Sequence, residues 1–371
     1  MRILFDARVL MNPEPSGVGQ YSSVLLQELT RRLPQQWLVY QNRWSSQFGH
    51  LPELPTATAI ARTHYPNKLL NLMGAWGFNP KLRQPVDLIL SPHLNAIRQN
   101  NVPRLITIHD LTFVKFPHLL SRQNRLWHNW MATAAKQADH LITLSHATKD
   151  DMIKCWRINP SRISVIYPGL MPIAPIDAAL TQQVLNRFKL RARAYFFFVG
   201  DIAPRKNIPN LLAAWTKVVH QSPYRDFKLV LSGKMGYRES TFHQQVSDLH
   251  LTNHLVLTGY LDDTMKTALF GEALALAYPS LYEGFGLPIL EAFQLGVPVL
   301  TAAIAAMPEI AGGAALYVNP YEIDDIAQGL TTLIDHSVLR STLVQAGKQR
   351  LRHFNWEQAA TTYQELFQRF S

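Results

Sequence analysis

Cysteine is nearly absent. Cys155 is the only one in 371 residues, so no disulfide can form within the chain. A reducing compartment is expected, with the thiol buried and inert. No apolar run approaches the roughly 20 residues that cross a bilayer. The opening Met1-Arg-Ile-Leu-Phe-Asp6 turns polar within a few positions, so no secretory signal is expected and a cytoplasmic location follows. No Asp-x-Asp motif occurs, and the adjacent acids Asp150-Asp151, Asp262-Asp263 and Asp324-Asp325 read as helix starts or solvated turns. No metal is therefore expected. No Gly-x-Gly-x-x-Gly fingerprint follows a strand, which argues against a dinucleotide dehydrogenase. Internal repeats and low-complexity segments are missing too.

Acidic residues are scarce in one half only. Residues 1–170 hold 19 Lys/Arg against 9 Asp/Glu, whereas residues 171–371 hold 17 of each. The bases are scattered and lack the aromatic motifs of RNA-binding modules, so nucleic acid is not the expected partner. An anionic membrane surface, a phosphate-bearing acceptor and a plain solvated basic face all fit.

A hydrophobic content of 47% with 17% charge describes a soluble globular chain, and its length fits two domains. In the first half, short apolar runs at 2–5, 37–40, 86–90, 104–108 and 140–144 read as buried strands, with helices over 17–33 and 123–138. In the second half, strands are expected at 195–199, 227–231, 255–257, 274–278, 298–301 and 316–318. Helices are expected over 208–220, 239–249, 287–295 and 323–334. Strands alternating with helices predict parallel sheets covered on both faces. Met171-Pro-Ile-Ala-Pro-Ile-Asp177 breaks the rhythm and suits a linker. The expected architecture is two doubly wound, Rossmann-like domains, 1–170 and 171–355. In such α/β sheets ligands bind at the C-terminal ends of the strands.

The most informative segment is Tyr278-Pro-Ser-Leu-Tyr-Glu283-Gly-Phe-Gly-Leu-Pro-Ile-Leu-Glu291, in which two carboxylates stand eight residues apart. Glu283 precedes a glycine loop. Glu291 is expected in the first turn of a helix that Pro288 can start. A helix start of this kind favours an anion. Upstream, Pro204-Arg205-Lys206-Asn207 follows a strand and a glycine. Cations beside a helix start suit a diphosphate, and carboxylates suit a polyol.

With Leu231-Ser-Gly233-Lys234, Thr258-Gly-Tyr260-Leu261-Asp262, Gly17-Val-Gly19, Ile108-His109-Asp110, Leu141-Ile-Thr-Leu-Ser145 and Phe354-Asn-Trp356, these motifs run in an order and spacing that together are highly specific. The chain resembles the retaining GT-B glycosyltransferases of family 4 over nearly its whole length. The subgroup with similar motifs often builds bacterial surface polysaccharides, including mannose-containing ones. The resemblance implies a sugar nucleotide bound mainly by the second domain, an acceptor bound mainly by the first, and a C-terminal helix, 356–371, that packs back on the first.

Carried over by resemblance, Glu291 holds the ribose hydroxyls and Glu283 the donor sugar, with Gly284, Phe285, Gly286 and Leu287 supplying backbone N–H groups. Arg205 and Lys206 neutralise the pyrophosphate. The backbone at Tyr260 and Leu261 faces the base, with Gly233 nearby in the donor site. Gly17 and Gly19 let a loop approach the phosphate and acceptor. His109 sits near the reacting carbon, with Ser145 close by. Asp201 stands where many relatives carry Arg, which leaves Arg205 as the second cation.

Each of these residues has a duller reading. Ser145 can simply cap the helix after it, Glu291 can be a dipole partner, and His109 can be a core histidine. The implied reaction is front-face transfer of a hexose with retention, from GDP-mannose or a UDP-hexose such as UDP-glucose or UDP-GlcNAc, to a growing surface polysaccharide or lipid-linked glycan. The rivals are a pyridoxal-phosphate phosphorylase of similar architecture and an inactive sugar-nucleotide binder. The apolar, aromatic segment 68–78, flanked by Arg62, Lys81 and Arg83, suits either a peripheral membrane contact at the inner face or a core wall.

Overall fold

A computed structural model of the chain describes residues 1–12, 16–42, 51–66, 69–70, 85–94, 99, 101–120, 122–236 and 239–371. Apart from Leu69 and Leu70, the segment 68–78 lies outside the described residues, as do Lys81 and Arg83. The chain divides into two compact units, Met1–Met171 with Phe354–Ser371, and Pro172–His353.

The first unit is built on a parallel sheet. Its strands are β1 (Arg2–Asp6), β2 (Gln36–Asn42), β3 (Ala59–Thr63), β4 (Leu88–Ser91), β5 (Arg104–Ile108), β6 (His140–Thr143) and β7 (Ile163–Val165), in the order β3-β2-β1-β4-β5-β6-β7. The central strands β4, β5 and β6 are buried at every position, because helices cover both faces of a parallel sheet. The edge strand β3 alternates between half-buried and exposed positions. The helix Trp356–Gln368 completes this unit by burying Trp356, Ala359, Ala360, Tyr363, Leu366 and Phe367. The Tyr363 and Tyr21 hydroxyls lie 2.9 Å apart, and Phe367 packs on Trp37 with ring centroids 6.2 Å apart.

The second unit repeats the plan. Strands β8 (Tyr195–Val199), β9 (Lys228–Ser232), β10 (Leu255–Gly259), β11 (Ala275–Tyr278), β12 (Val299–Ala302) and β13 (Leu316–Val318) form a parallel sheet in the order β10-β9-β8-β11-β12-β13. Phe196, Phe197 and Phe198 are fully buried, and Phe196 meets Trp215 of the helix Ile208–Val219 edge-on. In each unit the strand order reverses beside the first strand, between β1 and β4 and between β8 and β11. Beyond the carboxyl ends of such a pair, loops part and leave a crevice.

The expected α/β architecture is present, and the expected strands match the observed ones to within two residues at each end. Strands β3 and β7 have no counterpart among them. Both are edge strands, one alternating in exposure and the other three residues long, so neither produces a continuous apolar run. The helices Ala178–Arg187 and Ser337–Arg350 are likewise additional. Two expectations are corrected. Cys155 is exposed, because Met152 and Trp156 take the inward stripe of the helix His146–Trp156 and leave Cys155 beside Lys154 on the outer side. Asp150 and Asp151 lie inside that helix and do not start it, and Asp151 pairs with Lys115 at 2.7 Å. No helix among the described residues is long and apolar enough to cross a membrane.

Candidate active site

The loop after β8 is shaped by its sequence. Pro204 opens a single 3-10 turn, Pro204–Lys206, that presents Arg205 and Lys206 in succession. Asn207 then adopts the left-handed conformation (φ 61°) that Asn tolerates better than most residues, and the helix Ile208–Val219 begins. Asn207 is buried, and its amide donates to the carbonyls of Pro279 (3.1 Å) and Pro320 (2.6 Å). The Leu281 N–H donates to the Arg205 carbonyl at 2.9 Å. The loops after β8 and β11 are thereby locked together at the point where strand order reverses.

Inside that lock, Arg205, Lys206 and Glu283 form one charge cluster. Lys206 Nζ donates to Glu283 Oε1 at 2.6 Å, and Arg205 Nη1 donates to Oε2 at 2.9 Å. Lys206 also donates to the Tyr278 hydroxyl at 2.6 Å, with its ammonium 4.7 Å from that ring's centroid. Burial alone would raise the Glu283 pKa, but Arg205 and Lys206 outweigh it and hold the carboxyl at about 2. For Lys206, burial and then Arg205 act against the charge; Glu283 offsets only part of this, and the ammonium titrates at about 8. At neutral pH the cluster carries two positive charges against one negative. It can accept an anion while keeping a carboxylate whose second lone pairs can take hydroxyl donors.

Beside this cluster begins the helix Leu287–Gln294. Gly286 takes a positive φ of 104° ahead of it, and no side chain caps its start. Pro288 has no N–H and the Ile289 N–H donates to the Gly286 carbonyl at 2.9 Å, so the Leu287 N–H is the first-turn donor that this uncapped start can turn toward an anion. Gly284, Phe285 and Gly286 are buried, and Leu287 is half-buried. Glu291 is the fifth helical residue, so it starts the second turn and is not in the first as expected; the helix begins one position before Pro288. A dipole role fades by that position. Glu291 instead pairs with Lys266 at 3.4 Å.

Gly233 follows β9 with φ 144°, and a Cβ there would stand 2.0 Å from the Gly200 carbonyl oxygen. Glycine is required for the loops after β8 and β9 to meet. Tyr260 is exposed, with the Lys234 ammonium 5.6 Å from its ring centroid, and Leu261 is buried.

The first unit carries the remaining candidates. Gly17 and Gly19 are not in a loop. They form the first turn of the helix Gly17–Arg32, where Ser16 Oγ accepts from the Gly19 N–H at 3.4 Å. His109 follows β5, and its Nε2 lies 2.8 Å from the Pro92 carbonyl. A carbonyl only accepts, so the proton sits on Nε2 and Nδ1 is left as an acceptor. Burial lowers the His109 pKa against the opposing effects of Pro92 and Asp110, so the ring is neutral at neutral pH. Tyr21 meets it edge-on, with ring centroids 5.1 Å apart. Ser145 is fully buried and caps the helix His146–Trp156, accepting from the Thr148 N–H at 3.1 Å.

The second unit thus brings Arg205, Lys206 and Glu283 into direct contact. Three residues of this unit make contacts that sequence reasoning missed: Tyr278 with Lys206, Asn207 with the loops after β11 and β13, and Lys266 with Glu291. Tyr278 and Asn207 lay within the quoted motifs, but nothing in a strand-end tyrosine or a helix-start asparagine advertises a contact across two loops. Lys266 carries one signal, its place three residues after the helix-opening Asp263.

Comparison with known proteins matches the sequence to two family models. Residues 185–350 match the family described as Glycosyl transferases group 1, and residues 15–171 match that described as Glycosyltransferase Family 4. A similar relative is the O-antigen chain mannosyltransferase B of Escherichia coli, 27% identical over 260 residues, which cover 69% of this chain and 67% of that protein. The O-antigen chain mannosyltransferase RfbU of Salmonella typhimurium is 29% identical over 215 residues, covering 58% of this chain and 56% of its own length. The fold resembles sucrose-phosphate synthase from Thermosynechococcus elongatus (TM-score 0.74, 20% identity, 100% of this chain and 98% of that one). It also resembles Anabaena Alr3699/HepE, solved in complex with UDP and glucose (TM-score 0.72, 18% identity, 99% of each chain). Two parallel-sheet units and family matches that together take in most of the sequence lead to one conclusion: the chain belongs to the GT-B glycosyltransferases of family 4, group 1.

Proposed function

We propose that this enzyme moves a hexose, with mannose favoured, from a nucleotide-diphosphate sugar to a growing surface polysaccharide or lipid-linked glycan, retaining the anomeric configuration and using no metal. The observation that carries the reading is the convergence of Arg205 and Lys206 on Glu283 next to the uncapped start of the helix Leu287–Gln294. Two cations and a helix start neutralise the leaving diphosphate as the bond from phosphate oxygen to anomeric carbon breaks. The acceptor oxygen bonds to the same face of that carbon, and its proton passes to the departing phosphate oxygen. Glu283 holds donor-sugar hydroxyls, Glu291 the ribose, the backbone at Tyr260 and Leu261 the base, and Gly233 keeps the loop beside it close. His109 offers Nδ1 near the reacting carbon. Gly17 and Gly19 form a helix start on the acceptor side.

GDP-mannose is favoured as donor by similarity to proteins named as O-antigen chain mannosyltransferases. A UDP-hexose is the second reading, favoured by the likeness to a fold solved with UDP and glucose. A thermal-shift screen over GDP-, UDP-, ADP- and dTDP-sugars decides between them, since a ligand at a hundredfold excess over its dissociation constant stabilises the fold by about 2.7 kcal/mol. Transfer in EDTA is expected to match transfer without it; loss that Mg²⁺ or Mn²⁺ restores overturns metal independence. An inverted linkage by NMR overturns retention, and binding without transfer or donor hydrolysis leaves an inactive sugar-nucleotide binder. The basic excess of residues 1–170 supports peripheral attachment at an anionic, cytoplasmic membrane face; failure to bind anionic vesicles at low salt refutes it.

A further inference from the structure

We infer that Lys266 is the positioning residue that makes the site demand a ribose, because its ammonium holds one oxygen of Glu291 and leaves the other to accept from the sugar hydroxyls. The inference rests on Glu291 being the ribose ligand proposed above. Lys266 lies on the helix Asp263–Gly271, whose start is fixed by Asp262 accepting from the Met265 N–H at 2.7 Å. Its Nζ is 3.4 Å from Glu291 Oε1 and 3.4 Å from Asp263 Oδ1. The two contacts are not equivalent. The Asp263 side chain is 71% exposed, so water screens that pair, whereas the Lys266 and Glu291 side chains are 18% and 12% exposed. Among the described residues, Lys266 is the one partner of the Glu291 carboxylate, and Oε2 takes no hydrogen bond from them.

A glutamate on a helix has three side-chain torsions to fix before it can grip a ligand. A cation pinning one oxygen removes much of that cost in advance, which is the usual benefit of preorganisation. Burial works against the Lys266 charge, but Glu291 and Asp263 outweigh it and raise its pKa, so the ammonium persists through the neutral range. Vicinal hydroxyls present donors to such an oxygen, whereas a sugar without hydroxyls at C2′ and C3′ presents none.

The test compares GDP with 2′,3′-dideoxy-GDP, and UDP with 2′,3′-dideoxy-UDP, by calorimetric titration, using the pair whose ribonucleotide binds more tightly. The wild type is expected to prefer the ribonucleotide by about ten- to hundredfold, the range of a hydrogen bond to a charged group. Lys266→Met is expected to shrink that preference to about threefold with little change for the dideoxy probe, and Lys266→Arg to restore it. Asp263→Asn is expected to leave it unchanged. If Lys266→Met lowers affinity for both probes equally, or keeps the full preference while Glu291→Gln abolishes it, the inference fails and the ribose reading stands. If Glu291→Gln also keeps the preference, or neither ribonucleotide binds, the ribose reading itself fails and takes the inference with it. Lys266→Gln, read the same way, covers the case in which the methionine variant does not fold.

Discussion

Lys206 Nζ stands 2.6 Å from Glu283 Oε1, and neither side chain is more than 9% exposed. Such a buried pair does two opposed things. It holds the loops after β8 and β11 in place, and it sets Glu283 in competition with any anion for the same cations. Glu283→Gln is therefore expected to lower folding stability by roughly 3 kcal/mol, since it strands buried positive charge. It should leave GDP or UDP affinity undiminished while reducing sugar transfer about a hundredfold or more. Urea unfolding, calorimetry and initial rates on one preparation check all three, and a large loss of nucleotide affinity contradicts the assignment.

The low pKa of Lys206 gives the reaction an alkaline limit. Lysine ordinarily titrates near 10.5, and here at about 8. Between those values the unfolded chain binds a proton that the folded chain does not, so this group's contribution to stability rises with pH. Activity should move the other way. The expected profile of kcat/KM falls above pH 8 with the fold intact, and Lys206→Arg removes the limb because arginine does not titrate there. Glu283 acts at the other end. Its pKa is lowered from 4.5 to about 2, so its stabilisation is complete above 4.5 and is lost as pH falls toward 2. An alkaline limb that persists in Lys206→Arg assigns it to another group.

Tyr278→Phe tests the support of that lysine. The hydroxyl accepts from Lys206 at 2.6 Å inside the core, and its loss should cost about 1.5–3 kcal/mol. It should also shift the alkaline limb to lower pH, because the charged form of Lys206 loses an acceptor. A stability loss with an unmoved limb would show the tyrosine to be packing alone.

Gly169 tests the closure of the first unit. A Cβ there would lie 2.3 Å from Trp356 Cδ1, so Gly169→Ala must displace the tryptophan whose indole N–H donates to the Leu170 carbonyl at 3.0 Å. Trp356→Ala should cost about 3–5 kcal/mol through the cavity it leaves. In both variants the expected sign is a lower first calorimetric transition with nucleotide binding retained. Simultaneous loss of both contradicts this.

Much of this was legible in the sequence for physical reasons. Buried parallel strands are continuous apolar runs, so Tyr195-Phe-Phe-Phe-Val199 announces β8 to the residue. The helix start at Pro288, which the structure puts one residue earlier, and the cations at 205 and 206 are written in local chemistry. The edge strands β3 and β7 of the first unit were not, because Ala59–Thr63 alternates in exposure and Ile163–Val165 is only three residues long. Nor were contacts between distant segments. That Asn207 bonds to Pro279 and Pro320, or that Lys266 reaches Glu291, depends on which loops the sheet order brings together. For Ser145 the structure shows the capping role that the sequence offered beside the chemical one: its fully buried hydroxyl accepts from the Thr148 N–H at the start of its helix.

The helix Trp356–Gln368 belongs to the first unit although some 180 residues of the second precede it in the chain. On the ribosome, Trp37 and Tyr21 must wait through synthesis of an entire domain before their covering residues emerge. At roughly 5–20 residues per second the nascent first unit stays open for tens of seconds, a window in which a chaperone has more to protect than in a chain whose units close in order.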